Sequence, residues 1–169
     1  MDILGRSPIS LPVLIVGKAA FLASSLFFCV RFFEPDAMFF ESLAARTLGV
    51  LSYAAGVLTV VVSVVQLGKS TTVGLPERPT ELKTDGLYRL TRNPIYVGGF
   101  LMCAGSCLFS MHPLNLLLAA IAVAVHLRVV SKEERFLEER FGARWLEYKE
   151  QVPRFFGRAG GGNFRGKSA

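Results

Sequence analysis

Charge is scarce in this chain. Of its 169 residues only 19% are Asp, Glu, Lys or Arg, while 51% are hydrophobic. A soluble domain carries about a quarter of its residues charged, so an ordinary water-soluble fold is excluded for one domain of this length. The apolar residues are also gathered into runs. Leu11 to Phe33 is interrupted only by Lys18, Arg31 and small polar residues, and Leu43 to Leu67 only by Arg46 and Gln66. Pro94 to Ser110 and Pro113 to Leu127 contain no charge. An apolar run of about 18 residues or more reads as a membrane span. The first two runs clear that length, and the first is too long for a signal-peptide core. The last two are separated only by "SMHPLN" and read as a tight helical hairpin. The expected fold is all-α: a polytopic membrane protein of about four transmembrane helices, with an amphipathic interfacial helix near the C-terminus.

Metal ligands and nucleophile motifs are equally sparse. The three cysteines, Cys29, Cys103 and Cys107, all fall inside predicted spans, with no histidine or acid at ligand spacing. They read as small apolar residues of helices, and no metal is expected. There is no G-x-G-x-x-G, no H-E-x-x-H and no serine-nucleophile elbow. "LGKSTT" at Leu67 to Thr72 matches the end of a phosphate-binding loop, but Ser63 stands where the first glycine is required. The histidines number two. His112 lies in the hairpin turn, and His126 at the end of the fourth span faces either a site or lipid headgroups.

Positive charge is present and unevenly placed. Lys69, Arg78, Lys83, Arg89 and Arg92 lie in the central loop, and Arg128, Lys132, Arg135 and further basic residues follow the fourth span. The positive-inside rule puts that face, with both termini, in the cytoplasm. The net charge of +6 suits anionic lipid. No aromatic-basic platform indicates nucleic acid, which is not expected as a partner. The short chain and the basic tail "GRAGGGNFRGKSA" suggest a bacterial inner membrane. Residues 1–156 read as one membrane domain and 157–169 as a disordered tail.

Two polar clusters stand on the cytoplasmic face. In "TELKTDGLYRLTRNPIYVGGF", Thr84-Asp85-Gly86 is a turn signal. Asn93 and Pro94 have the residue types of an N-cap and a first helical position. The third span therefore starts there, and its amide end attracts a polar or anionic ligand group. Gly98 and Gly99 permit close approach of a helix or a ligand. The second cluster is "HLRVVSKEERFLEERFGARWLEYKEQVPRFF". Leu137, Phe141, Trp145 and Tyr148 recur every three or four residues, with Phe136 beside them and Gly142 interrupting. That pattern is an amphipathic helix lying on the membrane or folding back on the loop. Glu133 and Glu134 sit close to the membrane boundary, where acids pair or bind something. They either form salt bridges with Arg128, Lys132 or a loop arginine, or serve a site. The hairpin topology sets the two clusters side by side, above an apolar floor. Such a pocket takes one water-soluble ligand and one lipidic ligand.

"LKTDGLYRLTRNPIYVGG", followed roughly thirty residues on by "EERFLEERFGARWLEYKEQVPRF", resembles the isoprenylcysteine carboxyl methyltransferase and phospholipid methyltransferase superfamily of integral membrane enzymes. The motifs are G-x-Y, R-x-P-x-Y-x-G, the paired glutamates, F-G-x-x-W-x-x-Y and V-P-R, and their combination is specific. The resemblance covers 67–156 and implies S-adenosylmethionine as methyl donor. By position, Leu82, Tyr88, Asn93, Pro94, Ile95 and Tyr96 line the donor site. Glu133 contacts the donor through its amino group with Glu134 in support, Arg128 or Arg154 steers the acceptor, and Gly98 allows close packing. Prenylcysteine-type members often carry His at the position of Asn93. The change removes a titratable base and leaves open whether the acceptor is a carboxylate, an amine, an isoprenoid or a thiol.

Methyl transfer from a sulfonium relies on positioning and desolvation, so the lack of a catalytic dyad fits. Two other readings remain: an NADPH-dependent membrane enzyme similar to sterol reductases, and a non-catalytic scaffold or ligand sensor of the same fold. Oligomeric state is not legible, although Gly49, Ala54, Ala55 and Gly56 offer a small-residue face for helix packing.

Overall fold

The computed structural model describes residues 10–33, 42–68 and 82–157. All regular structure among them is helical: α1 (Leu11–Phe33), α2 (Leu43–Gly68), a 3-10 turn (Gly86–Arg89), α3 (Pro94–Ser110), α4 (Pro113–Phe141) and α5 (Ala143–Gln151). The loop prolines Pro76 and Pro79, the "KSTT" segment and residues 158–169 of the tail lie outside the described residues.

The chain is an integral membrane protein. Helices α1, α2 and α4 are each long and apolar enough to cross a bilayer. Their outward leucines and phenylalanines, such as Leu22, Leu58 and Phe33, are exposed. In water such faces would be aggregation-prone, and in lipid they face their solvent. The fourth expected span, α3, has 17 residues. At 1.5 Å per residue it is about 26 Å long, slightly short of the roughly 30 Å hydrocarbon core. It is also the most enclosed helix, with eight buried residues.

That enclosure follows from glycine. Helices α2 and α3 run antiparallel at backbone contact, with Gly56 against Gly98 and Gly49 against Gly105. A Cβ on Gly98 would stand 2.7 Å from the Gly56 carbonyl oxygen, and one on Gly105 2.7 Å from that of Gly49. The Ser52 hydroxyl donates across the seam to the Leu101 carbonyl at 2.9 Å. On the other side of α3, small residues Ala20, Cys103, Ala119 and Ala122 bring α1, α3 and α4 together. Without water between lipid-immersed helices, such close approach gives dispersion contact in place of a hydrophobic drive.

The α3–α4 hairpin turns at Met111, which adopts a left-handed conformation (φ 47°). His112 caps α4, its Nδ1 accepting from the Leu114 amide at 3.2 Å. The apolar run and the charged segment expected after it form one continuous helix, ending where Gly142 (φ 53°) lets the chain reverse. The amphipathic segment then folds back as α5. Trp145, Tyr148 and Val152 pack on Leu82, Leu137 and Phe141, so α5 roofs the described segment that leads from Leu82 into α3.

Candidate active site

Glu133 and Glu134 are adjacent on α4, about 100° apart around its axis, and that angle divides this end of the bundle into two structures. Glu134 is buried. Its Oε1 accepts from Arg92 Nε and from Asn93 Nδ2, each at 3.1 Å. Its Oε2 accepts from both Nε and Nη2 of Arg154, the former at 2.9 Å. Arg92 reaches further: Nη1 donates to the carbonyls of Lys149 (2.8 Å) and Val152 (3.0 Å), and its amide to that of Pro153 (2.9 Å). Thr91 Oγ1 donates to the Arg154 carbonyl at 2.9 Å. The segment Lys149 to Arg154 is thereby clamped onto the start of α3. The carboxylate is paired and hydrogen-bonded on both oxygens, the condition under which a buried ion pair holds.

Asn93 occupies the N-cap position of α3, with Pro94 buried at the first helical position. Its side chain makes no cap hydrogen bond; it turns instead to Glu134 and to the Arg154 carbonyl (3.2 Å). Donation from Nδ2 to a charged acceptor orients the side chain away from the cap geometry. Beneath, the Tyr148 hydroxyl donates to the Tyr88 carbonyl at 2.6 Å. Burial pushes both phenols up. For Tyr88 the Glu133 charge adds to burial, and its pKa reaches about 12. The Leu87 amide donates to Gln66 Oε1 at 2.9 Å, which ties the turn to the end of α2.

Glu133 faces the other way, into a cavity of about 520 Å³ between α1, α2, α3 and α4. Tyr96, one turn into α3, donates its hydroxyl to Glu133, with Oη 2.9 Å from each carboxylate oxygen. The walls are apolar: Phe21 from α1, Val60 from α2, Ile95, Gly99 and Phe100 from α3, Val125 and Val129 from α4. Phe155, just beyond the clamp, packs its ring against Phe100 at 5.5 Å between centroids.

Of the residues singled out by sequence, Tyr96, Ile95 and Glu133 meet at this cavity. Asn93, Glu134 and Arg154 meet in the clamp beside it. Gly98 is spent on α2, while its neighbour Gly99 faces the cavity. Leu82 borders a second, more polar cavity of about 380 Å³ with Thr84, Arg89 and Arg144. Arg128 is exposed on α4 and outside the cavity lining. Two basic lining residues, His126 and Lys18, were not assigned to the site from sequence. His126 takes the site side of its two readings: its ring lies 6.0 Å from that of Tyr96 and 6.2 Å from that of Phe21. Lys18 enters from α1. Its signal was visible as a cation inside the first apolar run, but nothing local connects it to residues of α3 and α4 more than seventy positions away. Among the described residues no cluster of His, Cys, Asp or Glu could hold a metal ion.

This architecture has recorded relatives. Residues 44–144 match the phospholipid methyltransferase family. The chain is 25% identical over 157 residues to protein-S-isoprenylcysteine O-methyltransferase B of Arabidopsis thaliana, an alignment covering 88% of this chain and 79% of the relative. It is 35% identical over 72 residues to protein-S-isoprenylcysteine O-methyltransferase A of the same plant, covering 42% of this chain and 36% of that protein. No solved structure matches.

Proposed function

This chain belongs to the phospholipid methyltransferase family, and from that premise we propose that it is an S-adenosylmethionine-dependent membrane methyltransferase. Its acceptor is lipidic, and the reaction is carboxyl O-methylation of an isoprenylcysteine-type molecule at the cytoplasmic face. The observation that carries this reading is Glu133: a carboxylate oriented by Tyr96 and opening into an apolar cavity at the membrane threshold.

The residues suit the donor. S-adenosylmethionine carries a cationic sulfonium and an ammonium, and supplies a methyl electrophile with S-adenosylhomocysteine as leaving group. Among the described residues Tyr96 is the hydrogen-bond partner of Glu133. A carboxylate has about four acceptor sites, so lone pairs remain for the ammonium. Tyr96 fixes the carboxylate in one rotamer. Phe21, Val60, Phe100 and Val129 keep water from the methyl group and seat an apolar chain. A carboxylate acceptor brings its own lone pair, so no residue has to remove a proton. The Glu134 clamp holds α4 against the start of α3 and so keeps Glu133 and Tyr96 in register.

The test is transfer of labelled methyl from S-adenosylmethionine by the protein in lipid nanodiscs. N-acetyl-S-farnesylcysteine and phosphatidylethanolamine are offered in parallel. Base-labile label on the cysteine derivative is expected. Label on the lipid amine alone would replace the acceptor, and oxidation of NADPH with no methyl transfer would replace the reaction.

A further inference from the structure

We propose that Lys18 is the acceptor-binding residue of this cavity: its ammonium holds the anionic group of an amphiphile whose apolar chain lies between α1, α3 and α4. This rests on the methyl-transfer reading for the word acceptor and for giving Glu133 to the cationic donor; the place of Lys18 in the cavity is geometry.

Lys18 lies in α1, in the second turn of a membrane-spanning helix. A charge at that place is costly and calls for a partner. Among the described residues no ion pair or hydrogen bond engages it. It lines the cavity, beside Phe21 of the same helix and across from Val125 and His126 of α4. Its neighbour Gly17 packs so closely on Val125 that a Cβ there would overlap the valine, which holds this stretch of α1 tightly against α4.

The other cations that the sequence placed at this site are committed or elsewhere. Arg154 and Arg92 are bound to Glu134, and Arg128 is outside the lining. Among the described residues that line the cavity, Lys18 is thus the one lysine or arginine, as Glu133 is the one acid. With Glu133 matched to the cationic donor, the opposite charge on α1 is left for a group of negative charge. Between them the wall is apolar. The occupant is therefore an apolar chain ending in an anion, either the carboxylate of a prenylated cysteine or the phosphodiester of a phospholipid.

Binding is measured for wild type, Lys18→Met and Lys18→Arg in nanodiscs, by calorimetric titration with two matched pairs. One pair is N-acetyl-S-farnesylcysteine and its methyl ester; the other is lysophosphatidylglycerol and monoacylglycerol. S-adenosylhomocysteine is titrated alongside. The expected result is that wild type prefers the anion of at least one pair by about tenfold, the size of one charge-assisted hydrogen bond. Lys18→Met equalises that pair, Lys18→Arg retains the preference, and S-adenosylhomocysteine affinity is the same in all three. Preference within the cysteine pair identifies a carboxylate, and within the lipid pair a phosphodiester. In turnover, Lys18→Met raises KM for the acceptor and leaves KM for the donor unchanged. Equal binding of both members of both pairs by wild type overturns the proposal, as does a preference that survives in Lys18→Met. Lys18 would then be an anchor whose head snorkels to the membrane surface. An anion preference lost in Lys18→Met in a protein that does not bind S-adenosylhomocysteine leaves the Lys18 site standing and removes methyl transfer.

Discussion

The Tyr96 hydroxyl lies 2.9 Å from both carboxylate oxygens of Glu133, and this bridge between the start of α3 and the charged half of α4 orients the acid of the cavity. Removing the hydroxyl alone leaves the ring, its contact with His126 and the helix start in place. Tyr96→Phe is therefore expected to fold normally and to weaken donor binding by about tenfold, the scale of one hydrogen bond to a charged group. The measurement is KM for S-adenosylmethionine together with the Kd for S-adenosylhomocysteine.

The two adjacent glutamates are expected to fail differently. Glu134→Ala leaves Arg92 buried without its partner and should cost about 3–5 kcal/mol, seen as a large fall in the thermal inactivation temperature in detergent. Glu133→Gln removes a charge that faces an apolar cavity. It should leave that temperature unchanged or raise it, while donor binding is lost. Equal destabilisation by both would refute the division of labour on α4.

A similar contrast separates Gly98 from Gly99. A methyl at Gly98 would meet the Gly56 carbonyl oxygen at 2.7 Å, whereas at Gly99 the nearest atom, on Phe21, is 3.7 Å away. Gly98→Ala is expected to destabilise by about 1–3 kcal/mol through overpacking. Gly99→Ala should keep stability and alter only the KM for the acceptor, since that glycine lines the cavity.

Trp145 is 1% exposed beneath the clamp, with Arg92 over its ring at 5.8 Å. Trp145→Ala should cost about 3–5 kcal/mol and release the C-terminal segment. Limited proteolysis would then cut between α4 and the tail in the variant and not in wild type.

Much of this architecture was legible in hydropathy. The runs Leu11 to Phe33 and Leu43 to Leu67 coincide with α1 and α2 to within a residue, because a helix in lipid must be apolar on all sides. The α3–α4 hairpin followed from its short turn, and that turn brought Tyr96 and Glu133 together on paper. The resemblance gave the donor to Glu133, but the residue pattern by itself did not tell which glutamate faces the cavity. Adjacent residues differ by a fixed angle, but the rotation of α4 is set by Gly17, Ala119 and Ala122 packing against its neighbours. For the same reason Arg154, which the resemblance offered with Arg128 for steering the acceptor, is held by Glu134. Asn93, read as a cap, donates to a carboxylate forty-one positions away. Lys18 needed the three-dimensional arrangement, since its helix comes to the site through α4 rather than through any nearby sequence.

The central claim is that Glu133 holds the methyl donor in the cavity. It is tested most directly by calorimetric titration of S-adenosylhomocysteine into the wild-type protein and Glu133→Gln, both folded in nanodiscs. Micromolar binding to wild type that disappears in Glu133→Gln, with thermal stability retained, is the predicted result. Equal binding by both proteins, or binding of NADPH in place of S-adenosylhomocysteine, would contradict it.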